Sequence, residues 1–417
     1  MNLRSPNKRK IFNDPVYGFI SIPHDLIFDL IEHPYFQRLR RIRQLGLTHL
    51  IYPGALHTRF HHSIGAMHLT CQAIAVLKEK GHQISAEEEL GVEIAILLHD
   101  VGHGPYSHTL EHSLVEKLHH EEISGIYMNL LNEEFKGQLR IGIQIFKNTY
   151  PKKYLHQLVS SQLDMDRLDY LKRDSFFTGV AEGNINADRI IKMLQLVDDE
   201  LVIEAKGIYS VEKFIIARRL MYWQVYLHKT VLAAEHILMR ILKRAKLLTE
   251  EGEVLFATSA LSTFLKNNFD KTRFSEDSTA ISAYSQLDDF DIMASIKEWT
   301  KHKDPILSYL SHCIVNRNLF RIEIQDKAFK HEKIQKIKEL VKHQFQLNDK
   351  ECEYFVISDS TSNSAYNLKG GQINILFKNG DIKDIVTASD LLNNSMLSQP
   401  VTKHFLCYPK NLMPNKD

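Results

Sequence analysis

"LLHDVGHGPYSH", Leu97–His108, ends an apolar run with an adjacent His and Asp, then turns through glycines that carry two more histidines. The residues before it read as a helix. Ser85 with Glu88 three positions on is a capping-box pattern, and Leu90, Ile94, Leu97 and Leu98 form an apolar stripe at helical spacing. His99 and Asp100 therefore stand at a helix end, with "VGHGP" as the stop. Successive helical side chains diverge by about 100°, but at the last turn both can reach one ion. Imidazole and carboxylate together suit divalent first-row metals. A doublet is two ligands only. Another histidine is on offer in "HTRFHHSIG" (57–65), which opens the preceding helix, and a carboxylate in "LDMDRLDY" (163–170), at Asp164, Asp166 or Asp169.

The surrounding chain reads as mainly helical through about residue 250. "HPYFQRLRRIRQLG" repeats Phe36, Leu39, Ile42 and Leu45 and closes at Gly46, a suitable residue just past a helix end. "SSQLDMDRLDYLKRDSFFTG" predicts a helix from about Ser160 to Phe177 closed by Gly179, with Asp166, Tyr170 and Arg173 on one face. "DELVIEAKGIYS" predicts a short hairpin turning at "KG". Ser210 then caps one long helix through residue 248, with Arg218, Tyr222 and Lys229 on a single face. From about Asn316 the texture changes. "LFRIEI", "YFVISDS", "INILFK" and "IKDIVTA" read as strands, with "NLKGG" and "KNGD" as turns, and "HEKIQKIKELVKHQF" as a helix. The expected organisation is a helical core over 1–250, a helical connecting segment over 251–315 and a small α+β region over 316–417.

Composition narrows the function. A chain of 417 residues is long enough to bury a sizeable core without staples. Its 52 basic and 51 acidic residues nearly balance, which argues against a protein devoted to wrapping nucleic acid. Cys71, Cys313, Cys352 and Cys407 are far apart, so neither a disulfide framework nor a thiolate zinc site is expected. The basic N-terminus lacks an apolar signal segment, and no apolar run approaches the roughly 18 residues needed to span a bilayer. The expectation is a cytoplasmic protein with no membrane association.

One His, then His-Asp, then a distant Asp is the pattern of HD phosphohydrolases. "KIFNDPVYGFI", "FQRLRRIRQLG", "YPGALHTRFHHSIG", "LLHDVGHGPYSH" and "LDMDRLDYLKRDSFFTG" together resemble, in order and context, the deoxynucleoside triphosphate triphosphohydrolases, over roughly residues 10 to 240. The resemblance implies an HD-domain helical fold that cleaves deoxynucleoside triphosphates to deoxynucleoside and triphosphate. Its metal ligands would be His62, His99, Asp100 and Asp166. Its catalytic groups would be His103, Glu111 (where relatives usually carry Asp), His120 and His108, the last beside the α-phosphate. Substrate contacts would be Gln44, Leu45, Arg59, Arg167, Tyr170, Asp174, Arg218, Tyr226 and Lys229, with Leu45 and Tyr226 excluding a 2′-hydroxyl. Lys10, Ile11, Asn13, Glu32, Gln37 and Arg40 fall where relatives bind an activating nucleotide between subunits, which implies a homo-oligomer, dimer or tetramer.

The resemblance implies a divalent ion as cofactor. The mixed ligand set leaves iron, manganese, nickel, zinc and magnesium open, with a second magnesium travelling with the substrate. A divalent ion can lower the pKa of its water from 15.7 to about 7, and arginines can hold a polyphosphate by charge-assisted bonds. Two other readings stand beside this one: hydrolysis of a different nucleotide phosphoester, which would not need Arg59 and Lys229 as a clamp, and a non-catalytic nucleotide or nucleic-acid binder on the same fold.

Overall fold

The computed structural model describes residues 10–106, 109–110, 115, 118–363, 366, 371–391 and 401–412. It is mainly helical, with three small sheets among the described residues. The centre is built from three helices. Arg59–Glu79 packs against both Ala86–Leu98 and Met165–Thr178. The second of these is capped as its sequence predicts: the Ser85 hydroxyl accepts from the Glu88 amide at 3.2 Å, and the Glu88 carboxylate accepts from the Ser85 amide at 2.9 Å. It runs to Leu98 and delivers His99 and Asp100 at its end.

Two close approaches need glycine. A Cβ at Gly65 would lie 2.1 Å from both the Arg173 guanidinium and the Asp169 carboxylate, so only glycine lets the 59–79 helix meet these two groups. A Cβ at Gly102 would lie 2.3 Å from the backbone of His120 and Ser124, which ties the turn after Asp100 against the Glu121-bearing helix His120–Glu134. The turn is also braced from the far side. The buried Arg38 guanidinium donates to the carbonyls of Leu287, Val101 and His103 at 2.8–2.9 Å, and Asp289 accepts from the Tyr106 amide at 2.8 Å. The helices between residues 259 and 315 thus prop the site from behind.

Several elements differ from the sequence reading. The stretch 33–46 is not one helix: it is a helical turn, Pro34–Gln37, a tighter turn, Arg38–Arg41, and extended chain, with Gly46 opening a further turn rather than closing a helix. Arg38, pulled inward by three carbonyls, sets that path. The Met165–Thr178 helix begins five residues later than expected, because Asp164 caps it by accepting from the Arg167 amide at 2.7 Å; Gly179, at φ +75, closes it as expected.

The hairpin is strands β3 (Leu194–Val197) and β4 (Glu200–Glu204), and it turns at Asp198–Asp199 rather than at "KG". The following helix starts at Ile208, ahead of Ser210. The single long helix is in fact two. Ile208–Met221 opens into a wide π-type turn over Tyr222–Tyr226, and His228 caps a second helix, Lys229–Glu250, by accepting from the Thr230 amide at 3.2 Å. The break takes Lys229 off the face shared by Arg218 and Tyr222.

Beyond residue 316, strands β5 (Arg321–Gln325), β6 (Ile357–Asn363), β7 (Asn374–Leu376) and β8 (Ile382–Asp384) overlap the four expected runs, with β5 and β6 extending past theirs, and His331–Phe345 is helical. "KNGD" joins β7 to β8 as an antiparallel hairpin. Residues 385–388 are helical rather than strand. Strand β9 (Val401–Tyr408) was not anticipated, yet it is the middle strand of the sheet β5-β9-β6. β7 pairs in parallel with β4 of the helical part, so the C-terminal region shares a four-stranded sheet with it. Most of "NLKGG" lies outside the described residues. The described part of the N-terminus forms the hairpin β1 (Ile11–Asp14) and β2 (Gly18–Ser21).

Candidate metal centre

The three histidines of "HHSIGAMH" have three different neighbours. His61 caps its own helix: its Nδ1 lies 3.2 Å from the Thr58 amide and 2.9 Å from the Thr58 hydroxyl. His68 packs against Tyr17 and Gln72. His62 is fully buried, and its Nε2 lies 3.0 Å from Asp166 Oδ1 and 3.8 Å from Asp100 Oδ2. His99 Nε2 is 3.6 Å from the same Asp166 oxygen and 3.3 Å from Asp100 Oδ1.

These residues fit a divalent ion on the chemistry of their own bonds. His62 Nδ1 donates to Asp169 at 2.8 Å, and His99 Nδ1 donates to the Ile96 carbonyl at 2.6 Å. Both rings are thereby oriented with Nε2 turned into the cluster, and both Nε2 atoms are buried without a well-formed hydrogen bond. Outer acceptors that set the tautomer are a regular feature of metal-binding histidines. His62, His99 and Asp166 place their ligand atoms within 4.8 Å of one another. Asp100, expected as a fourth ligand, falls instead in a neighbouring group with His103 and His120, where it pairs with the Arg59 guanidinium.

The charged groups of the cluster hold one another's charge states. Burial works against a charged His62, but the Asp166 and Asp169 carboxylates outweigh it and raise the imidazole to about 10. Asp166 is likewise penalised by burial, yet His62 and His99 hold it well below the usual carboxylate range. His103 behaves oppositely: burial, the Arg59 charge and His120 push it well below the ordinary histidine value, so it is neutral near pH 7. Its ring stacks on His120 with centroids 3.7 Å apart and 20° between planes, and its Nε2 is 3.3 Å from Asp100.

Of the three carboxylates on offer, Asp164 caps the helix and Asp169 sits behind His62. Asp169 is bound through both oxygens by Arg173 at 2.9 Å, and Arg173 reaches Asp14 at 2.7 Å. This buried chain from the metal cluster to the β1–β2 hairpin has no sequence signal beyond Asp166, Tyr170 and Arg173 sharing a helix face.

The cluster opens on a cavity of about 630 Å³, within the range of small-molecule sites. Gln44, Leu45, Arg59, Arg167, Tyr170, Asp174 and Tyr226 line it, as do His103 and His120. Asp174 accepts from the Tyr226 hydroxyl at 2.7 Å and pairs with the buried His57 at 2.8 Å, while His57 stacks on Phe177. Asp174 therefore positions Tyr226, a role that sequence did not foresee, as it did not foresee His57. Arg218 and Lys229 do not line the cavity. Arg218 reaches Gln162 at 3.3 Å behind Tyr222, and Lys229 is exposed at the start of its helix beyond the π-type turn. Residues Thr109 and Glu235 were missed and do line it. His108 and Glu111 lie outside the described residues.

The six residues assigned to a regulatory nucleotide gather at the surface around the β1–β2 hairpin. Lys10 lies over the Phe28 ring, Arg40 over the Phe60 ring at 3.5 Å, and Gln37 accepts from Arg40 at 2.8 Å. Ile11, Asn13 and Glu32 are exposed.

Known proteins place this site in context. Residues 185–258 match the family described as an HD associated region. A phosphohydrolase of known structure from Bacteroides thetaiotaomicron superposes with a TM-score of 0.94 at 51% identity, over 96% of this chain and 100% of that one. The YwfO protein of Bacillus subtilis, itself uncharacterized, is 35% identical over 98% of this chain and 94% of its own length. A Dictyostelium discoideum protein named as a deoxynucleoside triphosphate triphosphohydrolase SAMHD1 homolog is 33% identical over 54% of this chain, which spans 47% of that relative. Among the described residues no helix is long and apolar enough to cross a membrane. With the HD cluster assembled on these helices, the chain belongs to the HD-domain phosphohydrolase family, in the group related to the deoxynucleoside triphosphate triphosphohydrolases.

Proposed function

We propose that this protein hydrolyses deoxynucleoside triphosphates to deoxynucleoside and triphosphate, with a divalent ion held by His62, His99, Asp100 and Asp166. The observation that carries the reading is the continuity of one cavity from that cluster, past Arg59 and Arg167, to the wall formed by Leu45 and Tyr226. When bound, a divalent ion supplies Lewis acidity and makes water a usable nucleophile near neutral pH. The chain's own groups do the rest. Arg59 and Arg167 bind and orient the phosphates through charge-assisted bonds. The neutral His103, stacked on His120 beside Asp100, is placed to hold or pass a proton near the reacting phosphate; Glu111 as the partner of His103 and His108 as acid to the leaving oxygen rest on the family resemblance alone. The Tyr226 hydroxyl is taken by Asp174, so its ring stands with Leu45 as an apolar wall. A 2′-hydroxyl there has no partner, at a cost of about 1–3 kcal/mol.

The surface group around Lys10, Gln37 and Arg40 serves an activating nucleotide bound between subunits of a homo-oligomer, dimer or tetramer. Lys229 and Arg218 do not line the cavity and are left out of the substrate contacts. The test is incubation of metal-replete protein with each nucleoside triphosphate and chromatographic separation of the products. Deoxynucleoside with intact triphosphate is the expected result. Release of orthophosphate or pyrophosphate, or equal rates on ribonucleotides, would overturn it.

A further inference from the structure

Two acidic side chains that the reading above does not use line the cavity, Glu121 and Glu235, and of these Glu235 is held in place by a neighbouring hydroxyl. Glu235 lies on the Lys229–Glu250 helix and faces the cavity beside Gly46, Thr48 and Thr109. The Thr109 hydroxyl donates to its Oε1 at 3.1 Å, and among the described residues that is its one hydrogen-bond partner. No cation among them compensates it, and burial raises the carboxyl to about 7. An acceptor left open in a ligand cavity is there for a donor on the ligand. It cannot face the triphosphate, because two like charges at close range repel. That leaves the neutral half of the nucleotide. A sugar hydroxyl offers one donor, whereas a nucleobase edge can offer two in parallel. Guanine alone presents a ring N–H next to an exocyclic amine, the pair that a carboxylate accepts bidentately.

We propose that Glu235 reads the nucleobase and gives this protein a preference for guanine. The inference rests on the cavity being the nucleotide site, as in the proposed function. Thr109 is the positioning residue: by holding Oε1 it fixes the carboxylate plane and leaves Oε2 and the remaining lone pair of Oε1 for the base. A hydrogen bond to a charged group is worth about 1.5–3 kcal/mol, which corresponds to roughly ten- to a hundredfold in selectivity.

The experiment compares wild type with Glu235→Gln, whose amide keeps one acceptor but opposes guanine with its NH₂. Two ratios are read on metal-loaded protein: kcat/KM for dGTP over dTTP, and the calorimetric affinity for dGMP over dTMP. Both ratios are expected to exceed about tenfold in wild type and to fall at least tenfold in the variant. Thr109→Val should lower them less, and metal content should be equal in all three proteins. The proposal is overturned if the ratios stay the same, including the case in which Glu235→Gln weakens every nucleotide equally, as a purely structural or magnesium-binding carboxylate would. If no triphosphate is turned over but the monophosphate ratio still depends on Glu235, the reaction proposed above fails and base reading stands.

Discussion

Two charge-rich helices of similar length show what separates the two ends of this molecule. Met165–Thr178, in the helical part, turns its charges inward: Asp169, Arg173 and Asp174 are buried, each bonded to another buried polar group. His331–Phe345, in the C-terminal part, turns them outward. It buries Ile337 and Val341 and leaves Glu332, Lys333 and Lys336 in solvent. The second is the ordinary solution for an amphipathic helix. The first accepts the desolvation of several charges, which burial of apolar side chains would avoid. Such an arrangement persists where the charges hold something in place, and here they hold His62. The inward charges mark the helix that carries Asp166 of the site, and the outward ones a helix that packs by its apolar stripe alone.

The comparison breaks most visibly at His103. His103→Ala should keep its metal and lose about 10²–10⁴-fold in kcat, read by steady-state kinetics beside elemental analysis. A variant that keeps near wild-type rates would move the proton-handling role to another histidine.

Next in size is the buried ion pair. Arg173→Met strips Asp169 of its guanidinium partner and leaves it to His62 alone, and breaking a buried ion pair in this way typically costs about 3–5 kcal/mol. Chemical denaturation should show this loss, together with weaker metal retention, since Asp169 is then no longer fixed by Arg173 behind the His62 ring. A loss under 1 kcal/mol would mean that the inward charges of this helix are not what fixes the site.

A third test uses pH. Glu93, buried on the Ala86–Leu98 helix near Cys71 and His24, is pushed by burial to about 7 from an ordinary 4.5. Its folded value lies above its unfolded one. The native state therefore binds the extra proton, and stability falls as pH rises between about 4.5 and 7. Glu93→Gln should flatten that slope and gain about 1–3 kcal/mol at pH 7 relative to wild type. Melting curves across the interval decide it, and parallel curves for the two proteins would contradict it.

The smallest effect belongs to the C-terminal part. Lys333 pairs with Glu323 at 2.6 Å on a solvated face, and Lys333→Ala should cost no more than about 1 kcal/mol, with catalysis unchanged. A larger effect on kcat would tie the C-terminal sheet to the chemistry.

How far the sequence could be read follows the same division. Local signals were legible: the Ser85–Glu88 cap, the His-Asp doublet at the helix end, the Gly179 stop and the "KNGD" hairpin each depend on residues a few positions apart. The metal cluster was legible because its parts fall in contiguous stretches with a recognisable order. What escaped depends on distant partners. Arg38 bends residues 33–46 by reaching carbonyls as far off as Leu287. β9 takes the middle of its sheet only because β5 and β6 flank it. Asp14, Arg173 and Asp169 meet across 159 positions. The break at Tyr222–Tyr226 left no local sign, since apolar spacing continues through it.

The central claim is that His62, His99, Asp100 and Asp166 hold one divalent ion on which phosphohydrolase activity depends. It is tested most directly by metal content per chain in wild type and Asp166→Ala, each purified, loaded and desalted identically, with circular dichroism to confirm the fold. About one ion per folded chain is expected in wild type, and near none in the variant. A folded Asp166→Ala protein that retains a full complement of metal would contradict the claim.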